Sequence, residues 1–300
     1  MKRSKINLKG GLFIVFASFL WLLPWEGHAQ VPPCTASIGA TNYGSVGAAV
    51  SAAVPGNTIL VSNTCNENVF IGEDKERITL DGQGLTTPTP GAGGATLIGT
   101  APTSSPTIQI RGSGIVIKNF ASITGGRDGI LVNMGGAAVI LNNTIHGNNR
   151  HGANVNESST ARIGFQNVND SGPSPNNIHS NGGRGVSVTG SSNARIAGNT
   201  ISSNGDDGVG VFSVSHADVS DNNISGNGGD GITVGRNSGV NLGNDTGATM
   251  LDLPNNTVAV NSGFGIRCFI NSYADGRQGS LNGASGATSF GGSCTNSLIP

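Results

Sequence analysis

The central part of the chain repeats one pattern of apolar and polar positions about every 23 residues. A glycine marks the phase of each repeat, and apolar residues stand at the first and third positions after it. These phase glycines are Gly129, Gly152, Gly185, Gly208, Gly231 and Gly265. Apolar residues at every second position are typical of a strand with one buried face. A repeat of this length indicates a solenoid.

Each repeat predicts two more short strands. The ninth and eleventh positions after the phase glycine are apolar, as in Ala138 and Ile140. A single β-branched residue lies seven positions before the next phase glycine, at Ile145, Ile178, Ile201, Ile224 and Val258. Three short strands with one apolar face each cannot bury those faces as isolated hairpins. We therefore predict a parallel β-helix, in which each strand lies about 4.8 Å from its copy in the next turn.

Two columns of asparagine keep step with the β-branched residue. One column lies two residues before it, at Asn143, Asn176, Asn199, Asn222 and Asn256. The other lies three residues after it, at Asn148, Asn181, Asn204, Asn227 and Asn261. Asparagine tolerates the left-handed bend between strands, and stacked amides form hydrogen bonds along a column. We interpret both columns as structural.

The ends of the repeat array differ from its middle. Weaker alternation continues the pattern upstream of the regular part, which spans residues 107–270. Residues 46–54 are alanine-rich and predict a short helix that covers the N-terminal edge, because open solenoid ends invite aggregation. The tail from Asn271 breaks the phase and predicts an irregular C-terminal cap. Insertions at 165–175 and 244–254 enter one corner, either to frame a groove or as tolerated surface loops.

Three segments near the start carry a resemblance to a known group. Residues 48–61, 67–69 and 78–82 resemble the opening of right-handed parallel β-helix proteins of the pectin-lyase-like superfamily. The repeated Asn-Thr-Ile and Asn-Gly segments are similar to its parallel β-helix repeats. The resemblance implies an all-β, right-handed solenoid over nearly all of residues 30–300. The superfamily includes polysaccharide lyases, glycoside hydrolases, epimerases, adhesins and inactive proteins, so the fold alone decides no activity.

The first 29 residues read as a secretory signal peptide. A basic start, an apolar run at 12–23 and small residues before Gln30 form the expected pattern. We therefore expect one exported β-helix domain over residues 30–300, periplasmic, secreted or at the cell surface, with no membrane span and as a monomer. Removal of residues 1–29 changes the formal net charge from −1 to −4. Without a basic stripe, a nucleic-acid partner is not expected.

Four cysteines lie as one pair near each end of the exported chain. Export permits disulfides, and four cysteines allow three pairings. The simplest pairing joins Cys34 to Cys65 and Cys268 to Cys294, so that each bridge holds one end of the solenoid. The alternative is four unpaired thiols.

A dense set of charges stands just before the phase glycine in a chain that is otherwise poor in charge. This position holds Asp128, His151, Arg184, Asp207 and Asp230, which we call the charged column and take as catalytic candidates. Arg127, Arg150 and Asp206 stand one residue earlier and are candidates for substrate binding. Stacking would bring carboxylates, histidine and arginine together, where they shift each other's pKa. The alternative is alternating charge on a solvated edge.

The charged column suits two reactions on an acidic polysaccharide. A lyase needs a base for the C5 proton and cations for the uronate carboxylate, whereas a hydrolase needs two carboxylates. The Asp206-Asp207 pair resembles the Asp-Asp motif of polygalacturonase-type hydrolases, but the order of the segments differs, so no catalytic role carries over. We expect an exported protein that binds or acts on an acidic polysaccharide. The alternative is a non-catalytic surface, adhesion or structural scaffold.

Metal binding is a further hypothesis. His146 and His179 share one repeat position, and His151 lies on the neighbouring bend, so three imidazoles are available for Zn²⁺ or Cu²⁺. We interpret them as exposed stacked histidines and assign no metal or cofactor. Calcium on Asp206, Asp207 and Asp230 is implied by the resemblance alone.

Overall fold

The computed structural model describes residues 33–85, 89–165, 173–243 and 256–299. The predicted signal peptide and most of both insertions lie outside these ranges. The described part contains one helix, α1 (Val46–Ala52), and strands that form three sheets. One complete turn of the coil, here called a rung, contributes one strand to each sheet.

Sheet A has twelve strands in the described residues. In chain order they are β1 (Thr35–Ile38), β2 (Thr41–Tyr43), β3 (Thr58–Ser62), β6 (Thr79–Asp81), β9 (Ile115–Lys118), β12 (Ala137–Leu141), β15 (Thr160–Ile163), β18 (Asn193–Ala197), β21 (His216–Ser220), β24 (Gly239–Leu242), β27 (Tyr273–Arg277) and β30 (Thr295–Ile299).

Sheets B and C have nine described strands each. Sheet B contains β4 (Thr64–Asn66), β7 (Thr96–Ile98), β10 (Ser122–Thr124), β13 (Thr144–His146), β16 (Asn177–His179), β19 (Thr200–Ser202), β22 (Asn223–Ser225), β25 (Thr257–Asn261) and β28 (Ser280–Gly283). Sheet C contains β5 (Val69–Ile71), β8 (Ile108–Ile110), β11 (Ile130–Val132), β14 (Ala153–Val155), β17 (Val186–Val188), β20 (Val209–Phe212), β23 (Ile232–Gly235), β26 (Phe264–Phe269) and β29 (Gly286–Phe290).

The strands stack in parallel, with matching repeat positions opposite each other. Ile145 pairs with Ile178, and Ile178 pairs with Ile201, in sheet B. The alternating apolar side chains of all three sheets point inward and form one continuous buried core. This architecture confirms the predicted parallel β-helix and its three strands per repeat.

Both asparagine columns lie inside the coil and form hydrogen-bonded ladders. The Oδ1 of Asn199 accepts hydrogen bonds from the backbone N–H and the Nδ2 of Asn176, one rung earlier. The Nδ2 of Asn199 donates to the Oδ1 of Asn222 on the next rung. The second column has the same pattern. A serine ladder, which the sequence analysis missed, runs through Ser159, Ser192, Ser215, Ser238 and Ser272.

The N-terminal end is covered as predicted. Helix α1 begins after Ser45, whose Oγ accepts a hydrogen bond from the backbone N–H of Ala48. The Glu67 carboxylate accepts hydrogen bonds from the first two helical N–H groups, of Val46 and Gly47. Strands β1 and β2 add antiparallel to the edge of sheet A. Together these elements close the first rung.

The prediction of an irregular C-terminal cap is wrong. Strand β27 pairs in register with β24, and β28, β29 and β30 extend sheets B, C and A. The repeat was hidden because Ala287 stands opposite the last phase glycine, Gly265, and because the register shifts between Val258 and Asn261. The last rung therefore continues the coil with a slightly different length.

Both predicted disulfides are present. Cys34 is bonded to Cys65, which ties the start of β1 to β4. Cys268 of β26 is bonded to Cys294, just before β30. The first bridge ties the N-terminal cap to the first rung, and the second joins the last two described rungs, so each holds one end of the described solenoid as the positions of the cysteines predicted.

Candidate binding groove beside the charged column

The charged column lies in the bend that leads from sheet B into sheet C. The phase glycine follows each of its residues and packs against the next rung. A Cβ on Gly152 would collide with the Ile178 side chain and the Gly185 carbonyl oxygen. Glycine is needed here because the bend and its copy approach closely, and this close approach stacks the preceding side chains.

Asp128 lies at the start of the column and is fully buried. Arg150 donates to it from both Nε (2.9 Å) and a terminal nitrogen (2.8 Å), and the Arg127 Nε lies 3.3 Å from its Oδ2. Burial raises the pKa of the Asp128 carboxyl, but the hydrogen bonds and charge of Arg150 outweigh it, so the pKa lies below its ordinary value. Asp128 is thus a buried, charged anchor for Arg150.

Arg184 forms the second ion-pair cluster. Its Nε lies 2.9 Å from Asp207 Oδ2, and a terminal nitrogen lies 3.3 Å from Asp206 Oδ2. The guanidinium also lies 4.4 Å from the centre of the Phe212 ring. A Cβ on Gly210 would meet the Arg184 side chain, so this glycine leaves the space that Arg184 occupies. Burial, and then the neighbouring Asp207, raise the pKa of Asp206.

Four side chains of the column also accept hydrogen bonds from backbone N–H groups of the next rung. Asp128 accepts from the N–H of His151 (3.2 Å), and His151 Nδ1 accepts from the N–H of Arg184 (3.0 Å). Asp207 and Asp230 accept in the same way from the N–H groups of Asp230 and Phe264. Such contacts satisfy backbone donors, and they favour a scaffold role. The catalytic role of the column stays a prediction.

The tautomer of His151 follows from its contacts. Since Nδ1 accepts a hydrogen bond from a backbone N–H, the neutral imidazole carries its proton on Nε2. Burial, and after it the neighbouring arginines, outweigh the attraction of Asp128 and lower the pKa of His151 to about 4. At neutral pH His151 is therefore a neutral donor, whereas a lyase base would need an unprotonated nitrogen that faces the substrate.

A groove of about 250 Å³ lies beside the column on the outer face of sheet C. Its cationic lining residues are Arg150, Arg184 and Arg236, and its polar ones include His151, Asn154 and Ser187. Asn154 is only 3% exposed, and its Oδ1 has no hydrogen-bond partner among the described residues. An unpaired buried acceptor costs roughly 1–3 kcal/mol, so this Oδ1, which has almost no solvent-exposed surface, destabilises the wall of the groove.

Asn154, Ser187 and Arg236 line the groove but are not among the residues predicted from the charged column. Asn154 and Ser187 stand two residues after the phase glycine, between two inward-facing positions, and so point out of sheet C. A scan of that position would have found a polar outer surface. It carried no repeat signal because its residue type changes from rung to rung.

The three histidines do not form one metal site. His146 and His179 stack with ring centres 5.1 Å apart, and burial lowers the pKa of both. The His151 Nδ1 is occupied by the backbone of Arg184. In the described ranges, the one group of three suitable metal-ligand residues is Cys34, Cys65 and Glu67, and both of its cysteines form a disulfide. Calcium on Asp206, Asp207 and Asp230 stays a prediction from resemblance.

A family model for the right-handed β-helix region matches residues 128–298. The chain belongs to this right-handed β-helix family. No curated protein matches the sequence. Within the part that the structure describes, no helix is long and apolar enough to cross a membrane.

Solved structures with a similar architecture include two epimerases. The periplasmic alginate epimerase AlgG is 12% identical, with a TM-score of 0.40 over 98% of this chain and 100% of that chain. The A-module of the Azotobacter vinelandii mannuronan C-5 epimerase AlgE6 is 17% identical, with a TM-score of 0.28 over 78% of this chain and 76% of that chain. At these values the likeness carries no conclusion about activity.

Proposed function

We propose that this protein binds an acidic polysaccharide in the groove on sheet C. The observation that carries the proposal is the presence of three arginines, Arg150, Arg184 and Arg236, in the lining of one groove. Asn156 and Thr189 also line the groove, are half-exposed and can form hydrogen bonds with sugar hydroxyls. The carboxylate of a uronic acid matches the guanidinium groups.

The arginines of the groove are held in place and still have donors to offer. Asp128 accepts hydrogen bonds from the Nε and one terminal nitrogen of Arg150. Since a guanidinium has five N–H donors, Arg150 keeps others for a ligand. The Arg150 side chain is 43% exposed, so its remaining donors are accessible. Arg236, which also lines the groove, is exposed. A rigid set of partly neutralised cations suits repeated, spaced carboxylates.

The geometry supports binding better than catalysis. Asp128 is fully buried, and the carboxylates of Asp207 and Asp230 accept backbone hydrogen bonds from the next rung. His151 Nδ1 is occupied by the backbone N–H of Arg184, so this nitrogen is not free to act as a base. These contacts take up the carboxylates of Asp128, Asp207 and Asp230, and they equally suit the alternative of a non-catalytic surface or structural scaffold. The two disulfides and the predicted signal peptide support an oxidising, exported location.

Binding is tested by calorimetry on Arg236→Gln. We expect oligosaccharides of uronic acids to bind the unmodified protein and to bind Arg236→Gln about tenfold more weakly, a loss of about 1.4 kcal/mol. Arg77→Gln, which removes an equal charge near the N-terminal end, is the control and should bind normally. Equal affinity of Arg236→Gln and Arg77→Gln would contradict the proposed groove.

Catalysis is tested separately with the same oligosaccharides. Release of unsaturated uronate, followed by its ultraviolet absorbance, reports a lyase, and release of reducing sugar reports a hydrolase. We expect neither signal. A signal that disappears in His151→Gln would instead restore a catalytic role for the column.

A further inference from the structure

The outer face of sheet C continues beyond the groove toward the C-terminal end of the solenoid. Ser187 lines the groove and pairs in register with Gly210 of the next strand. Thr233 and Arg267 follow in the same row on the next two strands. Arg267 stands between two inward-facing residues and is exposed. Its side chain therefore points out of the sheet, on the same face as the groove.

Two phenylalanines connect the groove to Arg267. Phe212 lines the groove, and its ring centre lies 6.3 Å from that of Phe269, which is two strands further along. Gly235 lies between them in register, and a Cβ there would meet the Phe269 ring at 2.8 Å. Because Gly235 has no side chain, the Phe269 ring can lie across β23 and reach toward Phe212. The Arg267 guanidinium lies 5.7 Å from the centre of the Phe269 ring, so an aromatic surface joins the groove to this arginine.

The charge of Arg267 is open to an anion. Arg184, inside the groove, is paired with Asp207. Arg267 forms no ion pair with any residue that the structure describes. Its in-register neighbours on both sides, Thr233 and Ser289, are uncharged. A ligand carboxylate that contacts this guanidinium therefore displaces no acidic side chain among the described residues.

The distance along the solenoid sets the size of the ligand. Arg150 lies on the rung of β14, and Arg267 lies on β26, four strands further in sheet C. Four strand spacings are about 19 Å. A sugar ring is about as long as one strand spacing, so a glycan that contacts both arginines needs about five sugars. A trisaccharide covers only part of this distance.

From these contacts we propose that the binding groove extends along sheet C to Phe269 and Arg267, and that its ligand is an acidic glycan chain parallel to the solenoid axis. This inference rests on the proposed function, since it concerns the same face and the same class of ligand. Arg150, Arg184 and Arg236 bind one part of the chain, and Arg267 binds a carboxylate further along it. Phe269 packs against the apolar C–H face of the sugar between them. A long chain gains affinity because its second anchor is linked to the first.

Chain length is the variable that tests the extension. The disulfide-bonded protein is titrated calorimetrically with trisaccharides and hexasaccharides of galacturonic, mannuronic and guluronic acid. We expect the hexasaccharide of the series that binds to bind about tenfold more tightly than its trisaccharide. Arg267→Gln should remove most of this advantage and leave the affinity for the trisaccharide unchanged. Arg277→Gln, which removes an equal charge from sheet A near the same end, is the matched control and should keep the advantage.

The outcomes separate this inference from the proposed function. If none of the oligosaccharides binds, the groove is not a uronan site, and both proposals fail. If the trisaccharide and the hexasaccharide bind equally well, or if Arg267→Gln weakens both alike, the groove stands and the extension is overturned. Carboxyl-reduced hexasaccharide checks the chemistry of the contact, and Arg267→Gln should not change its affinity. A loss of the same size for the reduced and the acidic chain would overturn the carboxylate contact at Arg267.

Discussion

At the scale of single residues, His151 links the charged column to pH. Its pKa in the folded protein is about 4, below the ordinary 6.5, because burial disfavours the charged form. The unfolded chain therefore binds a proton first as the pH falls from 6.5 toward 4, and the unfolded state is stabilised over that range. The contribution of His151 to the free energy of unfolding is therefore complete above pH 6.5 and is lost as the pH falls toward 4.

We expect the free energy of unfolding to fall by about 2–3 kcal/mol between pH 7 and pH 4 from this residue. Urea unfolding at pH 7, 5.5 and 4 measures the change. In His151→Gln the fall should be smaller by that amount, since the glutamine does not titrate. Parallel pH profiles for the two proteins would show that His151 is not the titrating group.

At the scale of elements, the stability of each rung depends on the asparagine ladders. Asn199→Ala would leave the Asn176 N–H and amide and the Ile163 carbonyl without their partner inside the coil. Each orphaned group costs roughly 1–3 kcal/mol, so we expect a loss of more than about 3 kcal/mol. Asn193→Ala, at an exposed position on the same rung, should stay within about 0.5 kcal/mol. Urea unfolding that shows equal losses in both variants would contradict the role of the ladder.

The same elements show what the sequence could predict. The Asn199 and Ile201 positions were predictable because a buried position requires the same residue type in every stacked rung. Outward positions face no such requirement, so Asn154 and Ser187 left no periodic signal. The last rung was missed for a related reason. Ala287 takes the place of the phase glycine in β29, the last described strand of sheet C, where no further described strand packs against it.

At the scale of the whole molecule, each rung contacts chiefly its neighbours, so the ends of the solenoid can open without the middle. Burial contributes little to the stability of the last rung, since residues 280–299 are exposed or half-exposed. The Cys268–Cys294 bridge closes a loop of 26 residues, and the chain-entropy model assigns it about 3–4 kcal/mol. This end of the molecule should therefore depend on its disulfide.

We expect Cys268→Ala/Cys294→Ala to lose hydrogen-exchange protection in β27 to β30 and to keep it in β16 and β19, near the centre. Hydrogen exchange followed by mass spectrometry of peptides resolves the two regions. Cys34→Ala/Cys65→Ala is the matched variant, and its loss should lie in β1 to β4 instead. Uniform loss of protection along the chain in either variant would mean that the rungs unfold as one cooperative unit. The bridges would then stabilise the solenoid as a whole rather than its separate ends.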